Sequence, residues 1–328
     1  MLLLDDVLGQ STAVQTLRRA LASGRLHHAY RFEGPDGVGK ERCAFGLAQA
    51  LVCTERPRQG CGECSACRRA LNFSAEPPQV PAHPDVVLIE RGLYPPGVLG
   101  RSSPETTGIG VEQIRRIVLS RAAYPPHEAG SLLFIFRAAH ELTTSAANAL
   151  LKTLEEPQPN VHFVLLSDQP RRLIDTVRSR TLPIRFGPLP DADVVEIARR
   201  QGQVLTADTL ALAAGSARSA LELCDPERVE RRQRFVEAVL RAVQAPDLGA
   251  ALELAASEAS ERADLHEDLR GLAQHFVFEA RARASGDTSD AARPAHAYRE
   301  VLAARQALER NAPPALALEA LIARLRRL

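Results

Sequence analysis

The chain has 328 residues, 45% hydrophobic and 25% charged, a balance that fits a soluble protein of two or three domains with a sizeable core. Lysine and arginine total 41 against 40 acids, so a net charge of +1 excludes a uniformly basic nucleic-acid coat and leaves room for a local basic groove. No apolar run reaches the roughly 18–20 residues that cross a bilayer, and Asp5 and Asp6 break a short MLLL start without the basic region of a signal peptide. The expectation is a cytoplasmic protein with no membrane partner.

Ser11 is placed to cap a helix over Ala13–Leu21, with Leu17 and Leu21 on one face and Gly24 near its end. A strand over His28–Glu33 runs directly into the glycine-rich GPDGVGK, and a helix over Lys40–Leu51 follows. A cysteine cluster comes next, then a Pro/Gly/Ser/Thr-rich stretch over 74–108 that holds a strand at Val86–Glu90. Further elements are a helix over Val111–Leu119, a buried strand at Leu132–Phe136, a helix over Thr144–Glu156 stopped by Pro157, and a strand at Val161–Ser167. Strands alternating with helices up to Phe186 predict a parallel sheet covered on both faces, an α/β core over 1–186. Past Gly187-Pro188-Leu189-Pro190 the strand signal ends. A small helical lid domain is expected over 187–226 and an all-α bundle over 227–328, with Asp225-Pro226 at the joint and a loop over 284–294. There is no internal repeat.

Gly34-Pro35-Asp36-Gly37-Val38-Gly39-Lys40 matches G-x-x-x-x-G-K between a strand and a helix. Such a loop wraps backbone N–H groups around phosphates, and its lysine reaches the terminal ones. Lys40 and Lys152 are the chain's two lysines, and Lys40 stands where a compact ammonium serves better than a guanidinium. The metal side of the motif is altered at two positions. Glu41 replaces the Ser or Thr whose hydroxyl helps hold Mg²⁺, and Arg137-Ala138 ends the strand that would offer an acidic ligand. Both losses argue against ATP hydrolysis by this chain alone. The residues leave two states of the loop open: holding ATP or ADP without turnover, or closed by Glu41. Glu141 and Asp168 are the nearest substitute acids for a competent ATPase.

Cys53-x₇-Cys61-x₂-Cys64-x₂-Cys67 supplies four thiolates within fifteen residues, a set that suits structural Zn²⁺ in a closed site. An iron–sulfur cluster and free thiols are the alternatives. Cys43 and Cys224 read as ordinary buried cysteines.

With these residues placed, the chain resembles the bacterial DNA polymerase III clamp-loader subunits of the AAA+ family, and among them the delta-prime type. The likeness rests on Leu8-Gly9-Gln10, His28-Ala29-Tyr30 into the glycine loop, the four-cysteine insertion, His83-Pro84-Asp85 and Gly110–Arg115. Its most specific run is Ala146–Pro157 (AANALLKTLEEP). Arg178-Ser179-Arg180-Thr181, Gly215–Leu221 and a collar-like Asn311–Leu321 follow.

The resemblance implies a P-loop AAA+ core, a helical lid and an oligomerising collar. It implies gamma/tau and delta subunits as partners, the sliding clamp as cargo, and primer-template DNA met through the assembled complex. It also implies a component of the DNA polymerase III holoenzyme with a degenerate nucleotide site. In the family's Ser-Arg-Cys motif the arginine projects into the neighbouring subunit's ATP, which gives Arg180 the role of a finger in trans. Thr181 stands in place of the cysteine. The resemblance gives Arg218 the sensor-2 position and Ser167 or Asp168 the sensor-1 position. On the Thr144–Glu156 helix, Ala147, Leu150, Leu151 and Leu154 form the packing stripe, with Lys152, Glu155 and Glu156 outward. A gamma/tau-like motor and an unrelated zinc-containing P-loop kinase are the competing functions.

Overall fold

A computed structural model describes residues 3–103, 108–258, 262–284, 292–310 and 312–328. The expected loop 284–294 falls largely outside these residues, as do Asn311 and 104–107. By its contacts the chain forms two compact units, Met1–Ala220 and Leu221–Leu328.

The first unit is built on a five-stranded sheet. In chain order its main elements are α1 (Ser11–Ser23), β1 (Ala29–Glu33), α2 (Lys40–Val52), α3 (Ser65–Leu71), β2 (Val86–Ile89), β3 (Leu132–Phe136), α4 (Thr144–Glu155), β4 (Val161–Ser167), α5 (Asp175–Arg178) and β5 (Leu182–Arg185). Every strand pair is parallel, in the order β2-β3-β4-β1-β5. The chain leaves β1 for the far edge at β2 and returns to its side through β3 and β4. That reversal opens a crevice beyond the carboxyl end of β1, where ligands bind in open parallel sheets.

The strand limits follow from burial on both faces. LLFIF at β3 is fully buried, and Phe134 stacks on Phe163 of β4 with ring centroids 5.1 Å apart. On α4 the Thr143 side chain accepts from the Ala146 N–H, and Ala146, Ala147, Leu150 and Leu154 are buried. Each of those leucines contributes on the order of 2 kcal/mol by leaving water. Leu151 is half-buried, while Lys152, Glu155 and Glu156 are exposed as the spacing predicts.

Three readings of local structure need correction. Gln10, not Ser11, holds the cap position of α1, and Ser11 is already helical; Gln10 makes no side-chain cap bond, because its amide is engaged at Val38 and Gly187. The expected helix over Val111–Leu119 is α-helical at Val111–Gln113, a π-turn over Ile114–Leu119 and α-helical again at Ser120–Ala122. β5 is short, carries Pro183 inside it and was not expected as a strand: three of its four side chains are exposed, and its pairing with β1 defines it.

Three helices follow, α6 (Asp191–Arg200), α7 (Ala207–Ala213) and α8 (Ala217–Cys224), and the unit boundary falls inside α8. The second unit holds α9 (Pro226–Gln244), α10 (Gly249–Glu258), α11 (Arg262–Ala284), α12 (Ala292–Glu309) and α13 (Pro314–Leu325). Asp225 caps α9 through the N–H groups of Glu227 and Arg228, with Pro226 at the first helical position. Phe235, Val239, Leu269, Val301, Leu318 and Ile322 lie in the core of this bundle. Among the described residues no helix is long and apolar enough to cross a membrane.

Candidate functional site

The loop from Gly34 to Lys40 joins β1 to α2 at the carboxyl edge of the sheet. Gly37 has φ +73° and packs against Ser216 and Arg218, where a Cβ would collide with both. Gly39, at φ +99°, forms the N-cap of α2, and the Gly34 N–H donates to Ser167 O at 3.2 Å.

The Lys40 ammonium donates to the Gly34 carbonyl at 2.7 Å and to the Pro35 carbonyl. Burial lowers its pKa, and Asp36 and Asp168 partly oppose that shift. The Arg218 Nη1 donates to Asp36 Oδ2 at 3.0 Å, and the Ala217 N–H caps the Gly37 carbonyl at 3.0 Å. Burial opposes ionisation of Asp36, but Arg218, Lys40 and the Gly37 N–H hold it below the usual carboxylate value. Gln10 completes the loop's support. Its Nε2 donates to Val38 O at 3.1 Å and to Gly187 O at 2.7 Å.

On the metal side the two altered positions meet. Arg137 Nε donates to Glu41 Oε1 at 2.9 Å, Nη2 donates to the same oxygen, and Nη1 donates to Glu90 Oε2 at 2.8 Å. The guanidinium also lies 5.9 Å from the ring centre of Phe73, which contacts Phe45 of α2 edge-on. Ala138 turns the chain away in the left-handed region at φ +45°. From the sequence, Glu41 and Arg137 are two independent losses. In the fold they are one unit, since each charge is neutralised by the other. The substitute acids are also engaged: Glu141 lies 3.4 Å from Arg91, and Asp168 lies 3.2 Å from His140 Nδ1. Ser167 Oγ is 3.3 Å from the same nitrogen.

Arg180 follows α5, and its Nε donates to Glu155 Oε1 of α4 at 2.7 Å. Its Nη1 donates to Thr176 O at 2.9 Å. The Thr181 hydroxyl turns inward and donates to Val177 O at 3.0 Å.

The four cysteines of the cluster converge at the C-terminal end of α2. Their sulfurs all lie within 4.8 Å of one another, with Cys53–Cys64 at 3.9 Å and Cys61–Cys67 at 4.0 Å. A tetrahedral ion with Zn–S bonds of about 2.3 Å needs sulfurs about 3.8 Å apart, so this donor set fits one. Backbone N–H groups of Arg56, Cys64 and Cys67 donate to the sulfurs of Cys53, Cys61 and Cys64. Burial resists ionisation of Cys64, yet donors from Cys67 and Thr54 pull its thiol down to about 5. Gln49 Nε2 donates to Cys67 O at 3.2 Å, which ties the knuckle to α2. Cys43 is buried, and burial pushes its pKa up to about 12. Cys224 is half-buried, contrary to the expectation of a core residue, because it ends α8.

Several residues have roles that the sequence motifs do not give. Asp36 and Glu90 complete the site's charge pairing, and Arg31 contacts the Arg180 loop. Asp85 is fully buried and accepts from the N–H groups of His127, Glu128 and Ala129 at 2.7–2.8 Å and from Arg121 at 2.6 Å. An acid inside the glycine loop, and two charges at i and i+2 on a core strand, are the sequence signals that point to Asp36 and Arg31.

A glycine loop at the switch point of a parallel sheet ordered β2-β3-β4-β1-β5, followed by a helical region, defines a P-loop AAA+ fold. The family model described as DNA polymerase III, delta subunit matches residues 9–190. The chain belongs to that family of bacterial clamp-loader subunits, which serve DNA replication. It is 32% identical over 222 residues to DNA polymerase III subunit delta' of Haemophilus influenzae, covering 65% of this chain and 60% of that one. It is 33% identical over 205 residues to DNA polymerase III subunit gamma/tau of Mycobacterium tuberculosis, covering 61% of this chain and 32% of the relative. The chain thus spans about a third of the gamma/tau relative's length and under two thirds of the delta' relative's. Among solved structures, a DNA polymerase III gamma subunit-related protein of Thermotoga maritima aligns over 95% of this chain and 98% of its own, at 16% identity and a TM-score of 0.48.

Proposed function

We propose that the chain is a delta-prime-like clamp-loader subunit that does not hydrolyse ATP itself and supplies Arg180 to the ATP of a neighbouring gamma/tau subunit. The observation that carries this reading is the Glu41–Arg137 pair. A P-loop enzyme needs two oxygen ligands on the metal side; here one position holds a cation, and the other holds the acid that neutralises it. Lys40 and Arg218, the groups expected on phosphate, are turned to the loop's own carbonyls and to Asp36. Each charge expected on the chain's own nucleotide therefore has an internal counterpart.

In this reading the core 1–186 and lid 187–226 form the AAA+ module, and 227–328 is the collar. The partners are gamma/tau and delta subunits, the sliding clamp, and primed DNA met through the assembled loader. The cysteine knuckle binds one structural zinc ion, which consolidates the end of α2 and takes no part in chemistry. Arg180 is partly exposed beyond α5, so it is accessible to a neighbour, and a finger in trans raises turnover by about 10³–10⁵-fold.

The test is the ATPase rate of a loader reconstituted with gamma/tau, delta, clamp and primed DNA. Wild type and Arg180→Ala are compared after both are shown to assemble equally. A large loss of turnover supports the finger, and an unchanged rate overturns it. The second reading, a gamma/tau-like motor, draws on the 33% identity to a gamma/tau subunit over 205 residues. It requires ATP turnover by the isolated chain that Lys40→Ala abolishes.

A further inference from the structure

β1 carries two charged residues, Arg31 and Glu33, in an otherwise apolar strand. Their spacing of two puts both on one face of the sheet. Arg31 stands in register between Leu165 of β4 and Pro183 of β5 and is only 7% exposed. A guanidinium in such a place is costly to bury unless its donors are met.

They are met by Glu33 and by the loop that carries Arg180. Nε donates to Glu33 Oε1, while Nη1 donates to Arg178 O at 2.8 Å and to Thr181 Oγ1 at 2.6 Å. These two acceptors bracket Arg180 in sequence. The backbone on both sides of Arg180 is thus tied from within to the strand that enters the glycine loop, and the Arg180 side chain runs outward along α4 to Glu155. Thr181 is part of the tie. Its hydroxyl accepts from Arg31 while donating to Val177 O at 3.0 Å, and a thiol would be the weaker partner in both bonds.

We propose that Arg31 is a positioning residue for Arg180, acting through Thr181 and the Arg178 carbonyl to hold the guanidinium where a neighbour's phosphoryl group meets it. The proposal rests on Arg180 acting in trans. Misplacing a catalytic group by about 1 Å can cost on the order of 100-fold. Loss of the Thr181 hydroxyl and its two bonds, in Thr181→Val, is expected to lower loader turnover by about 3–10-fold, and loss of the whole tie by about 10–100-fold.

The experiment measures ATP turnover of the reconstituted loader with clamp and primed DNA. The variants are Thr181→Val, Thr181→Ser, Arg31→Met with Glu33→Gln, Arg180→Ala, and Thr181→Val combined with Arg180→Ala. The Arg31/Glu33 pair is changed together so that no buried charge is left alone. Thr181→Val keeps the test alive if that double variant does not fold. The expected result is a lower kcat with unchanged KM for ATP in Thr181→Val, a wild-type rate in Thr181→Ser, and no further loss when Thr181→Val is added to Arg180→Ala. If Thr181→Val and the Arg31/Glu33 variant assemble and turn over like wild type while Arg180→Ala is slow, the positioning role is wrong. A further loss on the Arg180→Ala background also contradicts it, because Thr181 would then act independently of Arg180. If Arg180→Ala itself keeps the full rate, the finger reading fails first.

Discussion

Arg137 at the end of β3 and Glu41 in the first turn of α2 are hydrogen-bonded to each other, with Nε 2.9 Å from Oε1. In a hydrolytic P-loop protein these positions face each other across a metal ion. Here the salt bridge spans that gap directly, and Glu90 accepts from the other arm of the guanidinium at 2.8 Å. Under the proposed function, this salt bridge takes the place of a metal ion between helix and sheet.

The pair predicts a specific pattern of stabilities. Arg137→Ala removes the partner of two acids and is expected to cost more than Glu41→Ala, which still leaves Arg137 its bond to Glu90. All three side chains are partly exposed, so the coupling between Arg137 and Glu41 is expected at about 0.5–1.5 kcal/mol. Thermal unfolding of the two single variants and the double variant measures it. Single costs that simply add would contradict the pairing.

His83-Pro84-Asp85 has its physical reason in the buried Asp85 carboxylate. Burial raises the pKa of such a group, but the N–H groups of Ala129, His127 and Glu128 together with Arg121 hold it below the ordinary value. Since the folded pKa lies below the unfolded one, this stabilisation is complete above the ordinary carboxylate pKa of about 3.9 and drains away as pH falls through it towards the folded value. Asp85→Asn is expected to lower stability by about 2–4 kcal/mol at neutral pH and to flatten the acid limb of the melting-temperature profile. An unchanged melting temperature and acid limb would show that the carboxylate is not the anchor of the 127–129 turn.

For the cysteine knuckle the expected outcome is one zinc ion per chain by elemental analysis, lost together with thermal stability in Cys64→Ser. Strong chelation should lower the melting temperature of the wild type and leave that of Cys64→Ser unchanged. Iron with visible charge-transfer absorption, or metal retained at full stoichiometry in Cys64→Ser, would contradict a four-thiolate zinc site.

The sequence makes some of this architecture plain and hides the rest for definable reasons. β3 and β4 appear at their true limits because both faces of each are buried, so the apolar run and the strand coincide. β5 is hidden because Pro183 interrupts its four residues, Leu-Pro-Ile-Arg, and the strand exists through pairing with β1. The glycine loop and the four cysteines are legible because their chemistry fixes residue type and spacing within a short stretch. The pairing of Glu41 with Arg137 joins residues 96 apart, and Arg31 reaches Thr181 across 150. No local pattern encodes contacts of that range. Gln10 is visible as part of Leu8-Gly9-Gln10, but its work, tying Val38 to Gly187, appears only in the folded chain.

The central claim is that this nucleotide site is satisfied from within, and the most direct measurement is on the isolated, zinc-loaded full chain. ATP turnover is followed with Mg²⁺ present, alongside calorimetric titration with ATP and ADP, in wild type and Lys40→Ala. The account predicts no turnover in either protein and no Mg²⁺-dependent gain in nucleotide affinity. Steady hydrolysis by the wild type that Lys40→Ala abolishes would contradict it and make the chain a motor in its own right.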